Sequence, residues 1–176
     1  MRKVIGVFGL SGVGKSSLAE KICDARSDFV CVKASEILKN YNGTIAFDEL
    51  TEDSVANNQR VLECGFEIYR QLNSEKNIII ELHNVIETPK KLVDVNINVF
   101  ERLRLDMACF LYLEAKDLLS NRLLDDERKR PIVSIGELDK RQYYALAYFE
   151  KCFSTLGVPY FIITNDHYNG FLKIVD

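Results

Sequence analysis

Lys3-Val4-Ile5-Gly6-Val7-Phe8-Gly9-Leu10-Ser11-Gly12-Val13-Gly14-Lys15-Ser16-Ser17-Leu18 is the stretch that decides the fold. An apolar, β-rich run, Lys3–Phe8, stops at a glycine. The spacing Gly9-x-x-x-x-Gly14-Lys15-Ser16 then matches the phosphate-binding pattern G-x-x-x-x-G-K-[ST], and the helical run Ser17–Ala25 opens straight after it. Glycines let the backbone curl so that successive N–H groups face one point, and the helix adds the positive end of its dipole. The expected phosphate-binding set is Gly9, Ser11, Gly12, Val13, Gly14, Lys15, Ser16 and Ser17. Lys15 is placed to reach β- and γ-phosphates, and the Ser16 hydroxyl to ligate Mg²⁺.

Working outward, four more apolar, strand-like runs recur at Phe29–Val32, Asn77–Glu81, Ala108–Leu113 and Pro159–Thr164. They alternate with helical periodicity at Lys15–Arg26, Glu52–Asn73, Pro89–Arg104, Ala115–Asp126 and Ile135–Leu156. Nearly all-apolar strands alternating with helices predict an α/β fold. Its expected form is a three-layer nucleoside-triphosphatase fold, with a five-stranded parallel sheet and helices on both faces.

The chain has 176 residues, 47% of them hydrophobic and 28% charged, with a formal charge of −3. This is one domain's worth of sequence with material for a sizeable core, which excludes disorder as the main state. The mild acidity removes the overall basic field on which sequence-independent nucleic-acid binding relies. No apolar stretch approaches the roughly 18 residues of a membrane span, and the expected location is the cytoplasm. The five cysteines, Cys23, Cys31, Cys64, Cys109 and Cys152, are scattered without a C-x-x-C pair. They read as reduced, mostly buried thiols.

Two further constellations carry chemistry. The run Ile78-Ile79-Ile80-Glu81 sets a carboxylate at the carboxyl end of a buried strand, where ligands bind in open α/β sheets. Glu81 can orient a magnesium-bound water or act as a base, and His83 shares that rim. Further on, Arg122, Arg128 and Arg130 fall within nine residues, interleaved with Asp125, Asp126 and Glu127. In a phosphotransferase such a cluster forms a closing lid, whose guanidiniums neutralise the transferring phosphoryl group. The aromatic stripe Tyr143, Tyr144, Tyr148, Phe149 reads as helix packing.

These residues resemble the P-loop nucleotide kinases, most closely the compact archaeal-type adenylate kinases. The resemblance rests on the phosphate loop, on Glu81-Leu82-His83 followed by Thr88-Pro89-Lys90, and on Arg122-Leu123-Leu124-Asp125-Asp126-Glu127-Arg128-Lys129-Arg130. It implies a single kinase domain over residues 1–176, with an acceptor-binding segment at about 35–75 and a lid at about 122–136. It further implies ATP and Mg²⁺ as cofactors and a small-molecule acceptor, most readily a nucleoside monophosphate. Lys15, Glu81, Arg122, Arg128 and Arg130 would be catalytic, Asn165 would lie near the adenine, and Ser35, Asp48, Arg60 and His83 would meet the acceptor.

The sequence departs from that family in two places. Ser27–Gln59 holds no arginine, only Lys33 and Lys39, against acids that include Glu36, Asp48 and Glu49. The family's arginine on the helix after the lid falls near the apolar Leu146. An alcohol acceptor needs a positioned base, whereas a monophosphate needs cationic clamps. A nucleoside or other small hydroxyl compound, with Glu81 or Asp48 as base, therefore stands as an alternative acceptor. An ATP-hydrolysing assembly or switch factor is the alternative of another class, and a polynucleotide 5′-kinase is disfavoured by the acidity. Arg60 and Arg70, both on the helix Glu52–Asn73, are the remaining candidates for an acceptor clamp.

Overall fold

The computed structural model describes residues 2–42, 52–88, 91–125, 133–164 and 166–175. In chain order the elements are β1 (Val4–Phe8), α1 (Lys15–Ala25), β2 (Phe29–Lys33), α2 (Ala34–Asn42), α3 (Glu52–Leu72), β3 (Asn77–Glu81) and β4 (Val85–Glu87). They continue with β5 (Leu92–Asp94), α4 (Ile97–Leu103), β6 (Met107–Tyr112), α5 (Ala115–Leu124), α6 (Ile135–Leu156), β7 (Tyr160–Thr164) and α7 (His167–Val175).

Five strands pair in parallel in the order β2-β3-β1-β6-β7. The expected five-stranded parallel sheet is present, with each expected strand within a residue or two of its place. The most apolar runs take the middle of the sheet, where both faces are covered: every residue of β1 is buried, and so are four of five in β3 and five of six in β6. Edge strands β2 and β7 are less covered, with two of five residues buried in β2 and one of five in β7. On one face Phe8 meets the rings of Phe100, Phe149 and Phe153 at centroid distances of 5.4, 5.3 and 5.1 Å, which seats α4 and α6. Helices α1 and α7 pack against each other as a second group, with α1 lying on β2 and β3 and α7 on β7.

Strand order places the site. From β1 the chain leaves to one side for β2 and β3, then crosses to the other side for β6 and β7. In open α/β sheets ligands bind at the carboxyl ends of the strands where the direction reverses. The loop after β1, Glu81 at the end of β3 and the residues after β6 all converge there.

The structure corrects four expectations. The helix expected at Pro89–Arg104 is shorter: Leu92–Asp94 is a strand that pairs antiparallel with Val85–Glu87, and only Ile97–Leu103 is helical. The run Leu92-Val93-Asp94-Val95 is rich in β-branched residues, and Asn96 starts the helix late by accepting a hydrogen bond from the Asn98 amide at 2.9 Å. Helices α2 and α7 were not anticipated. Cys23 and Cys31 form a disulfide, because the turn between α1 and β2 brings their Cα atoms to 6.5 Å. Of the other cysteines, Cys109 and Cys152 are buried as expected, but Cys64 is exposed.

The aromatic stripe on α6 divides by environment. Phe149 is buried and Tyr148 donates to the Val95 carbonyl at 2.8 Å, whereas Tyr144 donates to the Asp94 carboxylate and Tyr143 is 74% exposed. No described helix is long and apolar enough to cross a membrane.

Candidate active site

β1 ends beside β6, so the loop that follows has little room. Gly9, Gly12 and Gly14 hold φ of 137°, 92° and 101°. A Cβ on Gly9 would stand 2.7 Å from the Leu111 carbonyl oxygen and 2.9 Å from Val13 Cγ1. Only glycine meets both the dihedral and the spacing there. Val13, almost fully buried, pins the loop to the core, and the Gly14 carbonyl accepts from the Leu18 amide to begin α1. Lys15 is buried, and its Nζ donates to the carbonyls of Gly9 at 2.7 Å and Leu10 at 3.1 Å. Ser17 faces solvent.

The parallel register of β1 and β3 sets Val7 beside Glu81 and brings that carboxylate under the loop. The Ser16 hydroxyl donates to Glu81 Oε2 at 2.8 Å. Burial pushes the Glu81 carboxyl above its ordinary value, opposed by the Ser16 hydrogen bond and the charges of Lys15 and Lys33. Two hard oxygen donors beside a buried ammonium fit Mg²⁺, which prefers few protein ligands and keeps its waters. Among the described residues no cluster of three His, Cys, Asp or Glu offers a denser metal site.

Helix α5 closes the loop from above. Asn121 Nδ2 donates to the Gly12 carbonyl at 3.1 Å, and Arg122 Nε to the Ser11 carbonyl at 2.9 Å. Arg122, expected to meet the phosphates, therefore touches the phosphate loop, and its two terminal nitrogens are engaged by Glu87, at 3.2 and 2.7 Å. Arg141 on α6 joins the same carboxylate at 3.3 Å and donates to Glu137 at 2.8 Å. The guanidinium that the sequence reading missed on this helix is thus Arg141, about one turn before Leu146, which packs against the core instead. Asn84, fully buried, donates to the Ala145 carbonyl at 2.6 Å and, with Tyr144 and Tyr148, straps the β4–β5 hairpin to α6.

His167, also missed, opens α7 beside the loop. Its Nε2 pairs with the Tyr112 carbonyl at 2.9 Å, and its Nδ1 lies 3.9 Å from where a Gly14 Cβ would be. Its signal was its place two residues after Asn165, just past the last strand.

Ser35 and Arg60 are exposed on α2 and α3, and His83 is half-buried just past β3. Near them, Lys33 is the register partner of Glu81 and lies 4.0 Å from Glu36 and 3.9 Å from Glu20. Arg70 belongs elsewhere. It sits in the last turn of α3, which runs on to the amino end of β3, and it pairs with Glu67 at 2.7 Å over the Phe66 ring. Asp48, Arg128, Arg130 and Asn165 lie outside the described residues.

A family model described as an AAA domain matches residues 8–139, from the end of β1 into α6. Adenylate kinase of Methanothermobacter thermautotrophicus is 24% identical over 153 residues, covering 80% of this chain and 78% of that protein. Adenylate kinase of Methanocaldococcus jannaschii is 24% identical over 150 residues, covering 77% and 76%. Among solved structures, shikimate kinase from Acinetobacter baumannii in complex with shikimate aligns over 99% of this chain and 92% of its own at a TM-score of 0.60 and 15% identity. Shikimate kinase from Bacteroides thetaiotaomicron aligns over 98% and 94% at a TM-score of 0.57 and 15% identity. The likeness to both is one of fold. The expected kinship with P-loop kinases, and with it an ATP-dependent kinase, is borne out at this level. With its phosphate loop, five-stranded sheet and matched span of 8–139, the chain belongs to the AAA domain family.

Proposed function

We propose that the protein transfers the γ-phosphoryl group of ATP to a small acceptor, and that the acceptor is a nucleoside monophosphate. The observation that carries this reading is the Ser16–Glu81 hydrogen bond of 2.8 Å beneath a complete phosphate loop. It joins the first residue after the lysine to a strand-end carboxylate, at the carboxyl end of the parallel sheet. The name adenylate kinase, borne by relatives that match most of the chain, supports the monophosphate.

In this reading loop N–H groups bind the β- and γ-phosphates, and Lys15 exchanges the Gly9 and Leu10 carbonyls for phosphate oxygens. Ser16 and Glu81 would hold Mg²⁺, which would supply neutralisation of the phosphate charge. The backbone donors and Lys15 stabilise charge spreading over the transferring group because they are oriented before it arrives. Arg122, with Arg128 and Arg130 from the lid segment, adds guanidinium charge and excludes water. Ser35, Asp48, Arg60 and His83 would meet the acceptor, and Asn165 and His167 the adenine.

A hydroxyl acceptor is the second reading, and Glu81 is the observation that favours it. A buried carboxylate whose pKa is raised is a better base for an alcohol than a solvated one. The protein is proposed to work in the cytoplasm. There the Cys23–Cys31 disulfide would be a transient or redox-responsive bond.

The test is to supply γ-labelled ATP with Mg²⁺ and a pool of nucleoside monophosphates, nucleosides and small hydroxy acids. Label on a monophosphate supports the first reading, and label on an alcohol the second. Label only in inorganic phosphate, at a rate indifferent to the pool, sinks both and favours an ATP-hydrolysing switch.

A further inference from the structure

Glu87 is the last residue of β4 and 8% exposed, a carboxylate enclosed by two arginines at the edge of a phosphate-binding loop. Arg122, whose side chain is 6% exposed, gives it both terminal nitrogens while its Nε stays on the Ser11 carbonyl. Arg141 reaches the same oxygen, Oε1, from the opposite helix and is itself balanced by Glu137. Two guanidiniums and two carboxylates cancel, so the cluster presents little net charge to an arriving anion. The forked edge that arginine uses for phosphate is already spent on the chain's own carboxylate.

We propose that the seat of the Glu87 carboxylate is an anion site, held by Glu87 in the unliganded protein and yielded to a phosphate group of a bound nucleotide. Three features make the exchange possible. Glu87 is the last residue of β4, so its side chain turns about its own torsions while the β4–β5 pairs Val85–Asp94, Ile86–Val93 and Glu87–Leu92 stay in place. Arg122 is anchored independently by Ser11, and Arg141 by Glu137, so both guanidiniums keep their positions when the carboxylate leaves. The seat adjoins Ser11, inside the loop that takes phosphates, so the replacing group is a phosphate and two guanidinium forks match its charge. Glu87 then sets affinity: it gives the buried Arg122 its counter-ion, and it makes every phosphate ligand compete with an internal anion.

The inference rests on the phosphotransferase reading for the source of the phosphate, and its test is independent of turnover. Titration calorimetry compares wild type with Glu87→Gln for ATP, a nucleoside monophosphate and inorganic phosphate. In a parallel experiment the side-chain carboxyl ¹³C resonance of Glu87, assigned in the wild-type chain, is followed as each ligand saturates. At least one ligand binds the variant about tenfold more tightly or better, and that ligand moves the Glu87 resonance. Which one does so identifies the donor or the acceptor as the source. A folded variant, judged by a single cooperative melting transition, that binds all three no more tightly overturns the proposal. If Glu87→Gln does not fold, an unmoved Glu87 resonance in saturated wild type overturns it alone. Tightened binding without transfer would refute the phosphotransferase reading and leave the anion site standing. Transfer with unchanged binding would do the reverse.

Discussion

Gly9→Ala isolates what the phosphate loop demands of its first residue. Two costs add at this position. The backbone stands at φ 137°, a region that is essentially glycine-only and costs another residue about 1–3 kcal/mol. The new Cβ would also lie 2.7 Å from the Leu111 carbonyl oxygen and 2.9 Å from Val13 Cγ1. Leu111 belongs to β6 and is held by pairing to Ile163, so it cannot retreat, and forced overpacking of this kind costs about 1–3 kcal/mol more. Mid-range values give a loss of about 4 kcal/mol. Gly157→Ala is the control: at the C-cap of α6 it holds φ 66° with nothing within 4 Å, so only the left-handed conformation is penalised, by about 1 kcal/mol. Urea unfolding of the three proteins, read as midpoint shifts at constant slope, measures both. Gly9→Ala should also lose ATP binding in calorimetry, since relief of the contact displaces the loop amides, and Gly157→Ala should keep it. Equal costs at the two glycines would refute the steric half of the argument. Full ATP affinity in a destabilised Gly9→Ala would refute the link between this glycine and the loop's shape.

Other expectations follow from the same geometry. Ser16→Ala removes the hydroxyl that faces Glu81 and should lower kcat by about 10²–10³, with a higher Mg²⁺ requirement; an unchanged Mg²⁺ titration would remove Ser16 from the metal site. In the proposed reaction Glu81 acts as its carboxylate, and burial raises its pKa, so kcat/KM should fall with decreasing pH through a limb above the ordinary carboxylate range. A limb at or below that range would show that Ser16, Lys15 and Lys33 outweigh burial. Iodoacetamide should label the exposed Cys64 in the folded protein, with Cys109 protected because burial pushes its thiol up to about 12; adding reductant should release two further thiols, Cys23 and Cys31. The same shift carries a sign for stability. Above the ordinary thiol range the unfolded chain loses the Cys109 proton that the folded chain keeps, so stability should decline as pH rises through that interval, as alkaline unfolding curves will show.

The phosphate loop and the central strands were legible in the chain because they are local. A glycine spacing at a strand-to-helix junction and unbroken apolar runs answer to steric and burial rules that act over a few residues. Glu81 was legible for a related reason: it ends such a run, and strand ends in this architecture face the crevice. The β4–β5 hairpin was not, because a three-residue strand carries little periodicity and is held by α6 through Asn84, Tyr144 and Tyr148, across separations of 50 to 61 residues. The Cys23–Cys31 pair depended on how α1 turns back onto β2. Arg141 was overlooked because nothing in its neighbours marks it; its meaning comes from Glu87, 54 positions earlier. The sequence alone therefore determined that this protein has a phosphate-binding loop on a parallel sheet. Only the tertiary structure decided which charges stand around that loop, because buried ion pairs are chosen by which helix and hairpin ends the packing brings within about 3 Å of one another, a distance no spacing along the chain encodes.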